Sequence, residues 1–259
     1  MSEELILRCE DSLEGMLTAV YDGFVCKNQM AAPYTDSIQI AAGEGGNLTL
    51  FAREMEIATD MDKAAKTADS IRRRLGYRVY DTVLAALCHF AEERATVVFG
   101  YLVRAFAGGS RVSEQLSDPY VLRLMELSRK VNNECDKFYG FLRFRSVSGE
   151  ILWAEIEPKC NLVPLMMEHF CDRFPGENFV IYDSKRKLAA VHEAYHAGVL
   201  VAGQELSVEG GEDFVESLWR QYVATMEIRE RHNERCQNTL LPKWYRKHMT
   251  EWTGGVSAP

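Results

Sequence analysis

Two stretches of this chain hold residue types at spacings that could do chemistry. His192-Glu193-Ala194-Tyr195-His196 spells H-E-x-x-H. In that pattern two histidines one helical turn apart hold zinc and the glutamate activates a water. The arrangement requires a helix, yet Phe179 to Val191, just before it, reads as a pair of strands. On an extended chain two histidines four residues apart stand ~13 Å from each other, too far to share one ion. The expectation is therefore no metal and no cofactor, with a zinc-dependent hydrolase using His192, His196 and the base Glu193 as the alternative. The second stretch places Glu168, His169, Asp172 and Arg173 on one helix, where Asp172 could orient the His169 imidazole for acid-base work. A structural hydrogen-bond network is the plainer reading of the same residues. Asp183 ends a strand in Tyr182-Asp183-Ser184-Lys185-Arg186, either as an acid-base group or as a turn brace paired with Arg186. His169 and Asp183 are the candidates for catalysis, if there is any.

A different chemistry is suggested by basic residues interleaved with aromatic ones. Arg143 and Arg145 alternate with Phe141 and Phe144, so a strand would set both arginines on one face. With Phe141 or Trp153 nearby, such a face could grip phosphates and stack bases; the alternative is an edge strand kept soluble by charge. Arg173 and Arg186 extend the set. Near the C-terminus Arg229, Arg231 and Asn233 lie in a charged helix end, followed by Lys243-Trp244-Tyr245-Arg246-Lys247-His248. Residues 220–252 carry seven basic and four acidic side chains in a chain whose net charge is -8. Arg72-Arg73-Arg74 with Tyr77 and Arg78 could also hold phosphates, but reads better as a solvated helix face. Gly43-Glu44-Gly45-Gly46 lacks the Gly-Lys-Ser/Thr of a phosphate loop and is expected to be a turn.

The elements that must position these residues follow from periodicity. Phe141–Arg145 and Ile151–Glu157 alternate around Ser148-Gly149-Glu150 and read as a hairpin closed by Pro158. Asn161 is placed to cap a helix over 162–174, with Pro164 in its first turn and Pro175-Gly176 as its stop. Strands are expected over 178–183 and 188–191. Upstream, Leu5–Arg8 and a helix from Leu13 form an opening strand-helix unit, with short strands at 38–41 and 48–51. Helical spacing governs 61–107, broken at Gly76 and Gly108-Gly109, and a further helix starts at Ser117-Asp118-Pro119. A long helix is expected over 214–237, a short one after Pro242, and a disordered tail at 253–259. The fold class is α+β, a small mixed or antiparallel sheet with a large helical complement. The domain reading is one family-like domain over 1–252, divided into 1–137 and 138–252.

Composition bounds the function. Hydrophobic residues at 47% and charged ones at 26% are ordinary for a globular protein, and no apolar run approaches the ~20 residues of a membrane helix. Seven cysteines without a Cys-x-x-Cys pair suit reduced thiols and, with the acidic N-terminus, a cytoplasmic protein without membrane contact. The acidic excess sits in residues 1–60, with three basic against eleven acidic residues; the remainder is balanced. That balance excludes a large non-specific polyanion-binding surface and leaves room for local basic faces.

Phe141-Leu142-Arg143-Phe144, then Pro164-Leu165 to His169-Phe170 with Arg173-Phe174, then Ile181-Tyr182-Asp183 with Arg186, then Leu218-Trp219 with Tyr222, come in an order that resembles a bacterial family of DNA-metabolism and DNA-repair proteins. The ending Arg229-Glu230-Arg231-x-Asn233 with Gln237, Pro242, Tyr245 and Lys247-His248 is similar as well. The resemblance implies a nucleic-acid partner, single-stranded or damaged DNA, and a radical S-adenosylmethionine protein of DNA-modification type beside it. Some members are fused to a uracil-DNA glycosylase domain, which makes that enzyme a further partner to expect; the family region fills these 259 residues, so no such domain is expected within them. The H-E-x-x-H stretch lies outside the family pattern, and the resemblance assigns no catalytic residue.

Overall fold

The computed structural model describes residues 4–29, 37–43, 52–147, 150–203, 234–249 and 251–252. The chain divides into two compact units, residues 1–133 and 134–259. The fold is α+β, with two small sheets of three and five strands and a large helical part. No described helix is long and apolar enough to cross a membrane.

In the first unit β1 (Glu4–Cys9) lies between β2 (Ile38–Ala42) and β3 (Ala52–Ile57), both parallel to it. The helix α1 (Leu13–Gln29) follows β1, as the opening strand-helix pattern requires. The third strand lies at 52–57, and the strand expected at 48–51 lies outside the described residues. Its sequence Ala-Arg-Glu-Met-Glu-Ile conceals it, because an edge strand tolerates charge. Glu54 sits in register with Ile6 and takes a bidentate ion pair from Arg8. Of the glycine-rich stretch, Gly43 is described: its φ is +83° and its N–H donates to the Cys9 carbonyl at the end of the β1–β2 pairing.

The helices α2 (Met61–Leu75), α3 (Tyr77–Leu87), α4 (Arg94–Gly108) and α5 (Pro119–Phe141) fulfil the helical pattern, with the expected breaks at Gly76 and Gly108-Gly109. Asp60 caps α2 through the amides of Asp62 and Lys63. Asp118 caps α5 through Tyr120 and Val121 while accepting from Arg104 Nε at 2.6 Å. The core is largely aliphatic: Leu7, Val20, Ile38, Ile40, Ile71, Val83, Leu87, Val98, Leu102 and Leu124 are buried, with Phe99 and Tyr101 among them. The arginine run lies on a solvated helix face, as expected, with Arg73 and Arg74 exposed. Arg72 lies 3.9 Å over the Tyr80 ring and Arg74 4.8 Å over Phe106, while Arg73 faces Asp69.

The second unit holds the five-stranded sheet, β4 (Arg145–Val147), β5 (Ile151–Ile156), β6 (Asn178–Asp183), β7 (Leu188–His192) and β8 (Val199–Ala202), in that spatial order. All neighbours are antiparallel except β5 and β6, joined by the crossover helix α6 (Val163–Arg173). One face of the sheet packs Phe144, Phe170, Phe174 and Phe179 edge to face beneath α6. The other holds Trp153, Tyr182 and Ala189. Then come α7 (Glu234–Leu240) and a 3-10 helix, Lys243–His248, the short helix expected after Pro242.

Two local expectations need correction here. Phe141–Arg145 is not a strand: α5 runs to Phe141, residues 142–144 are irregular, and Arg145 alone enters β4, opposite Trp153. Asn161 does not cap α6; its Oδ1 is buried without a partner, and the cap position is Leu162. The loop into α6 is fastened by Glu134, whose carboxylate accepts the amides of Lys159 and Cys160 at 2.9 and 3.1 Å. The long helix expected over 214–237 lies outside the described residues up to Asn233, and so does the tail.

Candidate functional site

The residues singled out by sequence separate into structural braces and surface groups. Asp183 is fully buried at the end of β6. Its Oδ1 accepts the amides of Lys185 and Arg186 at 3.0 and 3.1 Å, and its Oδ2 takes Arg186 Nη1 at 2.9 Å. Arg186 also donates to the carbonyls of Pro158 and Lys159. The turn between β6 and β7 is thereby tied to the loop after β5, and both residues are occupied in doing so. His169 is exposed on α6, with its ring 4.1 Å from that of Tyr139; among the described residues no hydrogen bond joins it to Asp172. Burial pushes the Tyr139 phenol up to about 12, so at neutral pH this neighbour is a neutral ring.

The H-E-x-x-H stretch does not form the helix that zinc chelation by two histidines requires. His192 ends β7, buried, with Nδ1 2.9 Å from the Glu177 carbonyl and its ring stacked 4.7 Å from Phe179. A turn follows, with Tyr195 at φ +65° and its amide donating to the Pro175 carbonyl. His196 lies exposed beyond it, Nδ1 2.9 Å from the Ala194 carbonyl. Nothing in this geometry brings the two imidazoles to one ion.

The basic residues divide in the same way. Arg143 donates to the carbonyls of Gly140 and Leu142 and to Glu251 Oε1 at 2.9 Å, so it pins the chain end to the start of the sheet instead of sharing an open face with Arg145. Of the two rings expected to stack bases beside them, Trp153 is packed inside at 6% exposure and Phe141 closes α5, half-buried. Arg246 is buried and held by the Leu241 carbonyl, Asn238 Oδ1 and the Trp252 face at 4.2 Å. Exposed among the named residues are Arg173, beside Phe174, and Lys243. Arg229, Arg231 and Asn233 lie outside the described residues.

A site does emerge around the last 3-10 helix. Trp244 and Tyr245 stand ring to ring at 4.9 Å, both half-buried. Lys159 Nζ lies 5.6 Å from the Trp244 ring and Lys137 Nζ 5.1 Å from that of Tyr245, which also meets Phe138 edge-on at 5.3 Å. Next to these rings is a cavity of about 20 Å³, whose wall includes Phe141, Arg143, Glu155, Glu157, Tyr245 and His248. Glu155, Glu157 and His248 turn toward one another, their ligand atoms all within 4.8 Å. Lys247 donates to Glu157, and that hydrogen bond holds the carboxyl below its ordinary range, so Glu157 is ionised at neutral pH. His248 Nε2 is buried 3.6 Å from Glu157 Oε1 and has no hydrogen-bond partner.

Sequence reasoning reached the aromatic and basic half of this site through the Lys243–His248 run and missed the carboxylates. Glu155 and Glu157 were visible as alternating positions of one strand, a spacing that sets both on one side of the sheet. Their partner His248 comes from the far end of the sequence, where no spacing connects it to them.

No curated protein matches the chain. The sequence profile of DUF4130, a domain of unknown function, matches residues 92–251, which include all of β4 to β8, α6 and the 3-10 helix that carries Trp244, Tyr245 and His248. That match covers more than half of the 259 residues, and the chain belongs to the DUF4130 family.

Proposed function

We propose that this protein binds nucleic acid as an accessory of DNA repair or modification and works beside a radical S-adenosylmethionine protein, the role implied by its resemblance to DNA-metabolism proteins. The single observation that carries the DNA-binding half is the pairing of half-exposed rings with lysines: Trp244 with Lys159, Tyr245 with Lys137, and exposed Lys243 on the same short helix. A base stacks on an aromatic face whatever its identity, while ammonium groups at the rim meet the phosphates on either side. Lysines that rest over rings give up little when they swing to a phosphate, because an exposed cation-π contact is worth only ~0.5–1 kcal/mol. With few free cations in the site, affinity is expected to be modest and single strands to be preferred over duplex.

Fluorescence anisotropy with labelled single-stranded and duplex DNA across a salt series tests this reading. Trp244→Ala is expected to weaken single-strand binding by the ~1–3 kcal/mol typical of one stacked base. Lys243→Glu is expected to flatten the salt dependence by ~0.7 in the log-log slope, one phosphate contact on a single strand. No binding even at low salt, or affinities untouched by both substitutions, would remove DNA from this face. Retained capture of the radical enzyme in that case would leave a purely protein-binding adaptor.

A further inference from the structure

We infer that Glu155, Glu157 and His248 form a binding site for one divalent transition-metal cation, a site separate from the DNA-binding reading. Three features converge on it. The first is placement: two residues apart on extended chain, both carboxylates leave the same side of the β5 end, and the 3-10 helix packed against β5 brings the imidazole to meet them. Donor atoms bound to one ion at ~2.0–2.2 Å stand no more than ~4.4 Å apart. Atoms already within 4.8 Å therefore need only small side-chain rotations to close on it.

The second feature is an atom without a partner. His248 Nε2 is buried, and its nearest carboxylate oxygen, Glu157 Oε1, is 3.6 Å away, outside hydrogen-bond reach. Buried polar atoms are almost always satisfied, and a nitrogen that faces two carboxylates across a small gap is satisfied by a cation between them. The third is space. The cavity of about 20 Å³ beside these groups matches a single water-sized occupant, for which ~10–15 Å³ suffices.

The donor set selects the ion. One imidazole nitrogen with two carboxylates suits Mn²⁺, Fe²⁺ or Zn²⁺, whereas Mg²⁺ and Ca²⁺ favour oxygen alone. Two carboxylate ligands suit the ion's double charge. The Lys247 ammonium now occupies a Glu157 oxygen and is the cation that a metal must displace. Lys247 is 59% exposed and free to swing outward. Open positions on an ion held by three protein ligands would be left to water or to a phosphate oxygen.

Titration of chelator-treated protein with Mn²⁺ alone, DNA absent, followed by the loss of the free-ion electron paramagnetic resonance signal, tests the site. Mn²⁺ is used before Zn²⁺ because the chain's thiols compete for zinc. One ion per chain is expected. Glu155→Gln and His248→Ala should each weaken it by more than ~100-fold, beyond the 10–100-fold loss typical of an outer-shell partner. Lys247→Met should tighten it, a gain that misfolding cannot imitate. No saturable binding to the wild type, or binding that survives both ligand substitutions, overturns the proposal. Lys247→Met weakening the affinity would do the same. Since the readout contains no DNA, loss of DNA binding in Trp244→Ala and loss of metal in Glu155→Gln report on different readings.

Discussion

The two units bury ionisable groups to different extents. In the first, most braces sit at the rim of an aliphatic core, where Asp60 and Asp118 cap helices, Arg8 pairs Glu54 across two strands, and Arg72 and Arg74 lie on rings; Arg94 is the buried exception, held by the Leu87 and Ala91 carbonyls and by Asp11. In the second, the core is aromatic and charge is drawn into it. Asp183 is wholly buried, Glu134 is buried against two amides, and Arg246 is sunk among carbonyls. Orphaned buried atoms follow the same division. Among the described residues the first unit has His89 Nε2, whereas the second has Trp153 Nε1, Asn161 Oδ1 and His248 Nε2. Of these atoms, His248 Nε2 belongs to the wall of the cavity beside the last 3-10 helix, where a bound ion would satisfy it.

The comparison is tested most severely by removing its central group from each side. In the first unit Phe99→Ala deletes a ring that is 1% exposed and meets Phe24 edge-on, at an expected cost of ~3–5 kcal/mol. In the second, Asp183→Ala leaves Arg186 facing only carbonyls and two amides without their acceptor, and ~3 kcal/mol is expected, the lower end for a broken buried pair because Arg186 is partly exposed. Denaturant melts of both variants measure this. If Asp183→Ala costs no more than a surface change, the polar interior of the second unit does not hold it together.

A smaller effect probes the rim braces. At Asp118 burial pushes the carboxyl up, but the Arg104 hydrogen bond and the amides of Val121 and Tyr120 outweigh it, and the net shift is downward. A carboxyl depressed in the folded state stabilises above its ordinary value of ~3.9 and loses that contribution as pH falls through the lower folded value. Asp118→Ala is therefore expected to cost ~1 kcal/mol, a typical cap, at neutral pH and almost nothing in strong acid. Melting temperatures measured from neutral pH into acid should converge for the two proteins. Curves that remain parallel would show that Asp118 acts by packing and not by charge.

What is legible in the sequence cuts across the two units. The run from β5 through β7 was readable because alternation, Pro158 and Pro175-Gly176 fix its boundaries locally. The helices of the first unit were readable for the same reason. β3 was missed since Arg53, Glu54 and Glu56 on an edge strand carry no hydrophobic signal. Phe141 to Arg145 was misread because its alternation is accidental: Phe141 closes a helix and Phe144 belongs to a cluster with rings from α6 and β6. Arg143 looks like a phosphate ligand until Glu251, far along the chain, fixes it, and Arg246 until Asn238 and the Leu241 carbonyl close around it. Motif spacing reports local geometry; the occupancy of a charged side chain is decided by residues far away in sequence.

One thiol in each unit allows the two interiors to be compared without substitution. Burial pushes Cys9 up to about 11 and Cys135 up to about 12, so neither is a thiolate in the folded state near pH 8, and alkylation must wait for opening. In the opened chain both thiols return to the ordinary ~8.5, so their relative labelling rates report the free energies of the two openings and not intrinsic reactivity. The larger aliphatic cluster surrounds Cys9, whereas Cys135 neighbours Glu134 in the unit with orphaned polar atoms. Cys135 is therefore expected to label first under native conditions, measured by mass spectrometry of peptides after timed alkylation. Mn²⁺ should slow Cys135 and leave Cys9 unchanged if the second unit is completed by a cation, since a ligand that binds only the folded unit raises its opening free energy. Equal rates at the two cysteines would mean that orphaned atoms carry no stability cost, and the contrast between the units would then be one of composition alone.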